Sequence, residues 1–168
     1  MVINLLDLQK CYNECRAELD SIGIKYGNIS SVQSANLPSN VWGRCIKNGD
    51  IYKIQINKIL LESTESYKGL KNTIIHEMLH SCPNSMRHTG SWKNLAGIVN
   101  SRLGYFVSRC TSSEELGIKM DAMERDYKYA CKCNKCGRVL GKSRICNFIK
   151  YPSHYTHKNC GGTFVRIK

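Results

Sequence analysis

The stretch that decides the fold is residues 73–80, which read TIIHEMLH. Its two histidines, His76 and His80, are four positions apart, so on a helix they lie on one face and can direct their imidazole rings to a single metal ion. Glu77 lies beside them, where its carboxylate can act as a general base. This HExxH pattern predicts a helix that carries a catalytic zinc site, with Glu77 as the catalytic residue.

A third zinc ligand is expected after this helix, because catalytic zinc usually has three protein ligands and one position left for water. Pro83 ends the helix, and the loop of residues 81–87 can return His88 to the metal. His88 is therefore the expected third ligand. Glu114 and Glu115, further along the chain, are carboxylate alternatives.

The spacing of apolar residues predicts the elements on either side of the HExxH helix. Between two strand-like runs, the pair Asn48-Gly49 suits a type I′ hairpin turn, in which both central residues adopt positive φ. The predicted elements are a first helix ending near residues 21–23, strands at 41–46 and 51–56, and helices at about 67–81 and 91–103.

Composition excludes several classes of protein. The 168 residues include 25 Lys and Arg against 13 Asp and Glu, a formal net charge of +12, and 42% are hydrophobic, which excludes a disordered or collagen-like chain. No apolar run is long enough to span a membrane, and no secretory signal is apparent, so we expect an intracellular monomer without membrane association. We expect the protein in a reducing compartment, which would be the nucleus in a eukaryote and the cytoplasm otherwise. A viral source is compatible with the same sequence features.

Cysteine and positive charge are both concentrated in residues 129–168. This segment holds five of the ten cysteines, nine of the 25 basic residues and no acidic residue. In a reducing compartment such cysteines indicate metal ligation rather than disulfides. Residues 1–128 keep 16 basic and 13 acidic residues, so the basic character belongs chiefly to the C-terminal module.

The C-terminal cysteines have the spacing of a zinc ribbon. Cys133 and Cys136, followed by a glycine, form one zinc knuckle, and His157 with Cys160, followed by two glycines, forms its partner. Together they predict a structural zinc site of three cysteines and one histidine, which a module of this size needs because its own core is small. The alternatives left open are Cys131 in place of Cys133 and His154 in place of His157, with Cys146 as a thiol outside the site.

The positive charge of this module predicts binding to the phosphate backbone of DNA. Lys142, Arg144 and Lys150 are the candidate nucleic-acid contacts. No recognition-helix motif is present, so we expect binding to single-stranded or duplex DNA without sequence specificity. The interleaved aromatic residues can stack on bases or fill the ribbon core; they are Tyr129, Phe148, Tyr151 and Tyr155.

These motifs resemble the SprT-like metalloproteases, in particular the Spartan-type proteases that digest proteins crosslinked to DNA. The resemblance covers most of residues 41–168. It differs in one position, since Thr89 stands between His88 and Gly90 where the family usually has glycine directly after its third histidine. The matching segments are Trp42-Gly43-Arg44, the strand at 51–57, Leu60-Leu61, the HExxH stretch, His88 with Gly90 and Trp92, and Cys160-Gly161-Gly162-Thr163-Phe164.

The resemblance implies an α+β fold with three parts. Residues 1–107 form a small zincin-type metalloprotease domain, with helices packed on a short antiparallel sheet; residues 108–128 are a connector, and residues 129–168 are the basic zinc-ribbon module. It implies two Zn²⁺ ions, one catalytic on His76, His80 and His88 and one structural. It also implies a zinc-dependent endopeptidase that DNA activates and that cleaves proteins bound or crosslinked to DNA.

Two other functions remain open from the sequence. The chain can be a non-catalytic DNA-binding zinc protein in which the HExxH helix is a structural metal site, although a structural site does not need a general base. It can also be a zinc peptidase of free proteins in which the ribbon docks other proteins.

Overall fold

The computed structural model describes residues 5–63, 67–118 and 127–168. The chain divides into two compact units, residues 1–119 and 120–168. Helices and small sheets occur in both units, which confirms the mixed α+β class. Part of the predicted connector, residues 119–126, lies outside the described residues.

The first unit contains four helices and three strands within its described part. Helix α3 begins and ends close to the predicted bounds, because the apolar spacing and Pro83 define it. The elements are α1 Leu5–Ser21, β1 Asn28–Ala35, β2 Gly43–Asn48, β3 Ile51–Asn57, α2 Lys58–Ser63, α3 Tyr67–His80 and α4 Gly90–Leu103.

The sheet of this unit is mixed, so the expected all-antiparallel sheet is wrong. Its strand order is β1-β3-β2, with β2 antiparallel and β1 parallel to β3. Strand β1 was not predicted, because its sequence NISSVQSA is mostly polar and lacks a regular alternation of apolar residues. Pairing with the central strand β3 stabilises β1 despite its weak local signal.

The hairpin between β2 and β3 was predicted, but its turn type is different. Asn48 is the last residue of β2 and pairs with Ile51, so the two-residue loop is Gly49-Asp50. Only Gly49 has a positive φ, 60°, and Asp50 does not. Positive φ at the first loop position alone is typical of a type II′ turn, so the type I′ prediction is wrong.

Helix α3 lies at the centre of the first unit and packs against α1, α4, β2 and β3. Ile74, Ile75, Met78 and Leu79 are fully buried. Such burial on several sides fixes the rotation of α3 about its axis, and this rotation determines where the side chains of the HExxH segment point.

Residues 108–118 belong to the fold of the first unit rather than forming a free connection. The indole Nε1 of Trp42 donates a hydrogen bond of 3.0 Å to the carbonyl of Thr111. Leu116 is fully buried, and its backbone lies so close to Gly69 that a Cβ at Gly69 would be 2.4 Å from the Leu116 oxygen.

The second unit is a small antiparallel sheet with strand order β5-β4-β6. Its core contains Cys131, Ile149 and Phe164, with Phe148 packed against them. Within the described part of the chain, no helix is long and apolar enough to cross a membrane. The elements of this unit are β4 Tyr129–Cys133, β5 Val139–Lys142, α5 Asn147–Lys150, a short 3₁₀ helix Pro152–His154 and β6 Phe164–Arg166.

Candidate functional site

Three histidines converge in the first unit. The Nε2 atoms of His88 and His76 are 2.8 Å apart, and those of His88 and His80 are 3.1 Å apart. His76 and His80 come from the same face of α3, and the loop after Pro83 brings His88 back to them, as the sequence predicts. This group can hold a metal ion through three imidazole nitrogens.

Two of the three rings are oriented by backbone groups. Nδ1 of His80 lies 2.9 Å from the carbonyl oxygen of Ser85, so Nδ1–H donates there and leaves the lone pair of Nε2 free for a metal. The ring of His76 hydrogen-bonds to the backbone of Ser108. These bonds fix both the tautomer and the plane of each ring.

The environment keeps the histidines neutral, which is the form that binds metal. Burial, together with the neighbouring His80 and His88, lowers the pKa of His76 to about 3. Burial also lowers the pKa of His80 and of His88, and the nearby Arg109 adds to the effect at His88.

Glu77 is held against strand β2. Its carboxylate accepts a hydrogen bond from the backbone N–H of Cys45, and Arg44 lies close enough to stabilise its negative charge. Burial nevertheless dominates and raises the pKa of Glu77 to about 8. Gly43 leaves room for this side chain, since a Cβ there would be 2.7 Å from Glu77 Oε1 and 2.8 Å from Cγ.

The histidines and Glu77 line one cavity of about 440 Å³. Its walls come from residues 40–45, at and before β2, from α3, and from residues 109–111. Arg44 and Arg109 line it, whereas Glu77 is the sole carboxylate among the described residues of its wall. The cavity can therefore admit a chain segment to the histidines and the carboxylate together.

No family model matches the chain, and no curated protein matches it significantly.

The second unit brings together a second group of metal-binding side chains. Cys136 Sγ and Cys160 Sγ lie 3.2 Å and 3.0 Å from Nδ1 of His157, and Cys133 Sγ lies 3.5 Å from Cys160 Sγ. Backbone N–H groups of Cys136 and Lys135 lower the pKa of Cys133 well below its usual value, which favours the thiolate that a metal requires.

Glycines shape both knuckles of this group. Gly137 and Gly161 have φ of 74° and 70°, the left-handed conformation that turns the chain tightly after each pair of ligands. Gly162 allows a close approach, because a Cβ there would be 2.7 Å from Cys133 Sγ.

The alternative ligands lie outside the two groups. Cys131 is buried in the ribbon core, with its Sγ 3.9 Å from the carbonyl of Phe148. His154 is exposed and stacks on Tyr151 with 5.6 Å between ring centroids. Glu115 is exposed and hydrogen-bonds to the backbone N–H of Ser112 rather than facing the histidines. The other carboxylate alternative, Glu114, and the thiol Cys146 are absent from both groups.

The candidate DNA contacts are all on the surface of the second unit. Lys142 ends β5, Arg144 follows in the next loop and Lys150 ends α5, and all three are exposed. Of the aromatic residues, Tyr151 and Tyr155 are exposed, whereas Phe148 packs edge-on against Phe164 and belongs to the core.

Two features of the first site were not predicted from the sequence. Trp92, which the sequence indicates only as part of the family motif, is buried against all three histidine rings. Arg109 lines the cavity although it lies 21 residues beyond His88. His88 precedes α4, which begins at Gly90, so its distance of four residues to Trp92 is not a helical turn, and no spacing in the sequence indicates this contact.

Proposed function

We propose that the chain is a zinc-dependent endopeptidase of the SprT-like, Spartan type that acts on proteins bound or crosslinked to DNA. One observation carries this proposal: three imidazole nitrogens converge next to a buried carboxylate, Glu77, inside a cavity open to a substrate. A purely structural metal site needs neither the carboxylate nor the cavity.

The donor atoms fit zinc at both groups. Three neutral imidazoles leave coordination positions for water and substrate, which is typical of catalytic zinc, and the group in the second unit adds three thiols and one imidazole, which is typical of structural zinc. His76, His80 and His88 would hold the first ion, and Cys133, Cys136, His157 and Cys160 the second.

When bound at the histidines, Zn²⁺ supplies a Lewis acid for a peptide carbonyl and for water. Glu77 then acts as general base: a carboxylate oxygen takes a proton from the attacking water and later delivers it to the nitrogen of the leaving amine. The Cys45 N–H and Arg44 partly offset the burial that raises the pKa of Glu77 to about 8, and a cation held by the histidines would further favour the ionised form that this role requires. Proton transfer by such a side chain accelerates a reaction by about 10²–10⁴-fold.

Strand β2 supports binding of an extended peptide. Among the described residues it is one of the two edge strands of its sheet, and its first residues line the cavity beside Glu77. Apart from the Cys45 N–H, which already donates to Glu77, backbone groups at this strand edge can hydrogen-bond to a substrate main chain regardless of its side chains. This arrangement is suited to cleavage of many different proteins.

The second unit supplies the proposed selection for DNA-bound substrates. It combines a knuckle-type metal group with nine basic residues and no acidic residue between positions 129 and 168. Such a surface attracts phosphate and would hold a DNA-bound protein near the peptidase.

The test is cleavage of a DNA-bound basic protein by the wild type and by Glu77→Gln, each with and without DNA. We expect DNA to stimulate the wild type, and Glu77→Gln to lose about 10²-fold or more of the rate because an amide cannot accept the proton. Both proteins should contain two zinc ions by elemental analysis, since Glu77 is not a ligand.

The matched control is Glu115→Gln, which removes an exposed carboxylate that lies outside the cavity wall. It should cleave at the wild-type rate. Near-normal cleavage by Glu77→Gln, or a wild type that never cleaves in the presence of zinc and DNA, would contradict the proposed function.

A further inference from the structure

The indole of Trp92 is a common neighbour of all three histidine rings. Its ring centroid lies 4.8 Å from that of His76, 5.6 Å from that of His80 and 4.6 Å from that of His88. It stacks on His80 with planes 24° apart and meets His88 edge-on at 81°. Trp92 is 2% exposed, in the first turn of α4.

The three histidines differ in what else orients them. His76 hydrogen-bonds to the Ser108 backbone, and His80 donates to the Ser85 carbonyl. For His88, the structure shows no such backbone acceptor among the described residues; its Nε2 faces the other two histidines. The torsion that rotates an imidazole about its Cβ–Cγ bond is broad, so a ring without a second contact is poorly fixed.

We infer that Trp92 is the positioning residue of the histidine metal site, and that it fixes the ring plane of His88 in particular. This inference rests on the proposed zinc site. The edge-on contact with Trp92 leaves the His88 ring little freedom to rotate. The stacked contact with Trp92 restricts the His80 ring in the same way. The indole thereby does for His88 what backbone carbonyls do for the other two ligands.

The polar atom of the indole supports this role. Trp92 Nε1 is buried and has no hydrogen-bond partner in the part of the chain that the structure describes. An unpaired buried N–H destabilises the fold, so a phenylalanine here would remove that penalty while giving up part of the ring surface. Contact with three imidazoles uses the whole face of the indole, part of which phenylalanine would give up.

The experiment measures metal affinity in the full chain, using Co²⁺ as the probe. We subtract the visible Co²⁺ spectrum of His88→Ala from that of the wild type. The difference reports on the histidine site alone, because the ribbon ligands are the same in both proteins. Trp92→Phe and Trp92→Leu are titrated in the same way, and their metal-free forms are unfolded by heat in a chelator. Trp42→Phe is the matched control, because the Trp42 indole has its own acceptor on Thr111.

We expect Trp92→Phe to weaken Co²⁺ binding at the histidine site by about 10-fold or more and to shift its absorption band, with Trp92→Leu weaker still. The midpoint of metal-free unfolding should fall no further in Trp92→Phe than in Trp42→Phe. Trp42→Phe should bind Co²⁺ as the wild type does.

Wild-type affinity and spectrum in a folded Trp92→Phe would overturn the inference while leaving the zinc site intact. Failure of both Trp92 variants to fold would also overturn it, because the indole would then be a core residue only. A wild type whose spectrum equals that of His88→Ala would instead overturn the proposed metal site itself.

Discussion

At the scale of single residues, Gly43 makes room for Glu77, the proposed general base. Its backbone lies against the Glu77 side chain, and a Cβ would come within 3.0 Å of Oε1, Cγ and Cδ. Because φ at Gly43 is not positive, the backbone itself tolerates alanine, and the effect of Gly43→Ala must come from displacing the carboxylate.

We therefore expect Gly43→Ala to lower kcat by about 100-fold, the usual effect of a displacement near 1 Å at a reacting group. Its zinc content should stay at two ions. The control is Gly97→Ala, which adds a Cβ in open space on α4 and should raise the free energy of unfolding by about 0.5–1 kcal/mol without changing kcat. Equal kcat for Gly43→Ala and the wild type would show that the carboxylate tolerates the displacement.

At the scale of elements, a partly exposed ionic group joins helices α1 and α3. Lys71 Nζ lies 3.3 Å from a carboxylate oxygen of Glu14 and hydrogen-bonds to Glu18, which also accepts a hydrogen bond from Tyr105. Although burial lowers the pKa of Lys71, the hydrogen bonds to Glu18 and Tyr105 raise it above its ordinary value. The charged lysine is thus part of the packing of α3, the helix that carries the site.

Lys71→Met should lower the free energy of unfolding by about 1–2 kcal/mol, because it leaves two carboxylates near each other without their cation. This loss of stability is smaller than the loss expected on breaking a fully buried ion pair, because the Glu14 and Glu18 side chains are 44% and 32% exposed. Urea unfolding of the zinc-loaded protein measures it. The control is Lys58→Met, which breaks an exposed pair with Glu62 and should change the free energy of unfolding by less than about 0.5 kcal/mol. An equal loss in both variants would contradict a stabilising role for Lys71.

The elements also show which parts of the fold can be predicted from the sequence. Helix α3 and the convergence of its histidines were predictable because periodicity, Pro83 and the HExxH spacing are local signals. Strand β1 was not, because its stability comes from pairing with β3 rather than from its own residues. The type II′ turn depends on register, which moved Asn48 from the loop into β2.

The candidate site was predictable to a similar degree. Ligands spaced along one helix follow from its geometry, and the return of His88 follows from the proline. The roles of Trp92 and Gly43 follow instead from side-chain packing, which no spacing encodes. The choice of Cys133 over Cys131 in the ribbon group has the same origin: a spacing of two residues leaves both candidates on one face of β4, and packing separates them.

At the scale of the whole molecule, charge and the two metal groups are divided between the units. The net charge is +12, yet 16 basic residues are matched by 13 acidic ones up to position 128, and the remaining nine basic residues lie in the last 40 positions. Phosphate binding should therefore depend on where charge is removed and not only on how much. This distinction separates a DNA-binding second unit from a uniformly basic protein.

The last prediction tests that distinction in the full chain. Replacing Lys142, Arg144 and Lys150 by glutamine removes three exposed positive charges from the second unit, and replacing Lys25, Lys68 and Lys93 removes three exposed charges from the first. Each contact with a phosphate contributes about 0.7–0.9 to the slope of log K against log salt concentration, so the first variant should reduce the slope by about 2–3. The second should leave it nearly unchanged.

Binding to several unrelated DNA sequences, measured by fluorescence anisotropy between low and physiological salt, gives both slopes. The loss in the second-unit variant should be similar for every sequence, because phosphate contacts carry no base information. DNA stimulation of cleavage should fall in that variant alone, with its basal cleavage of a free protein preserved, since the three lysine and arginine side chains lie outside the cavity wall. Equal weakening by the two triple variants would mean that net charge, rather than the second unit, determines DNA binding.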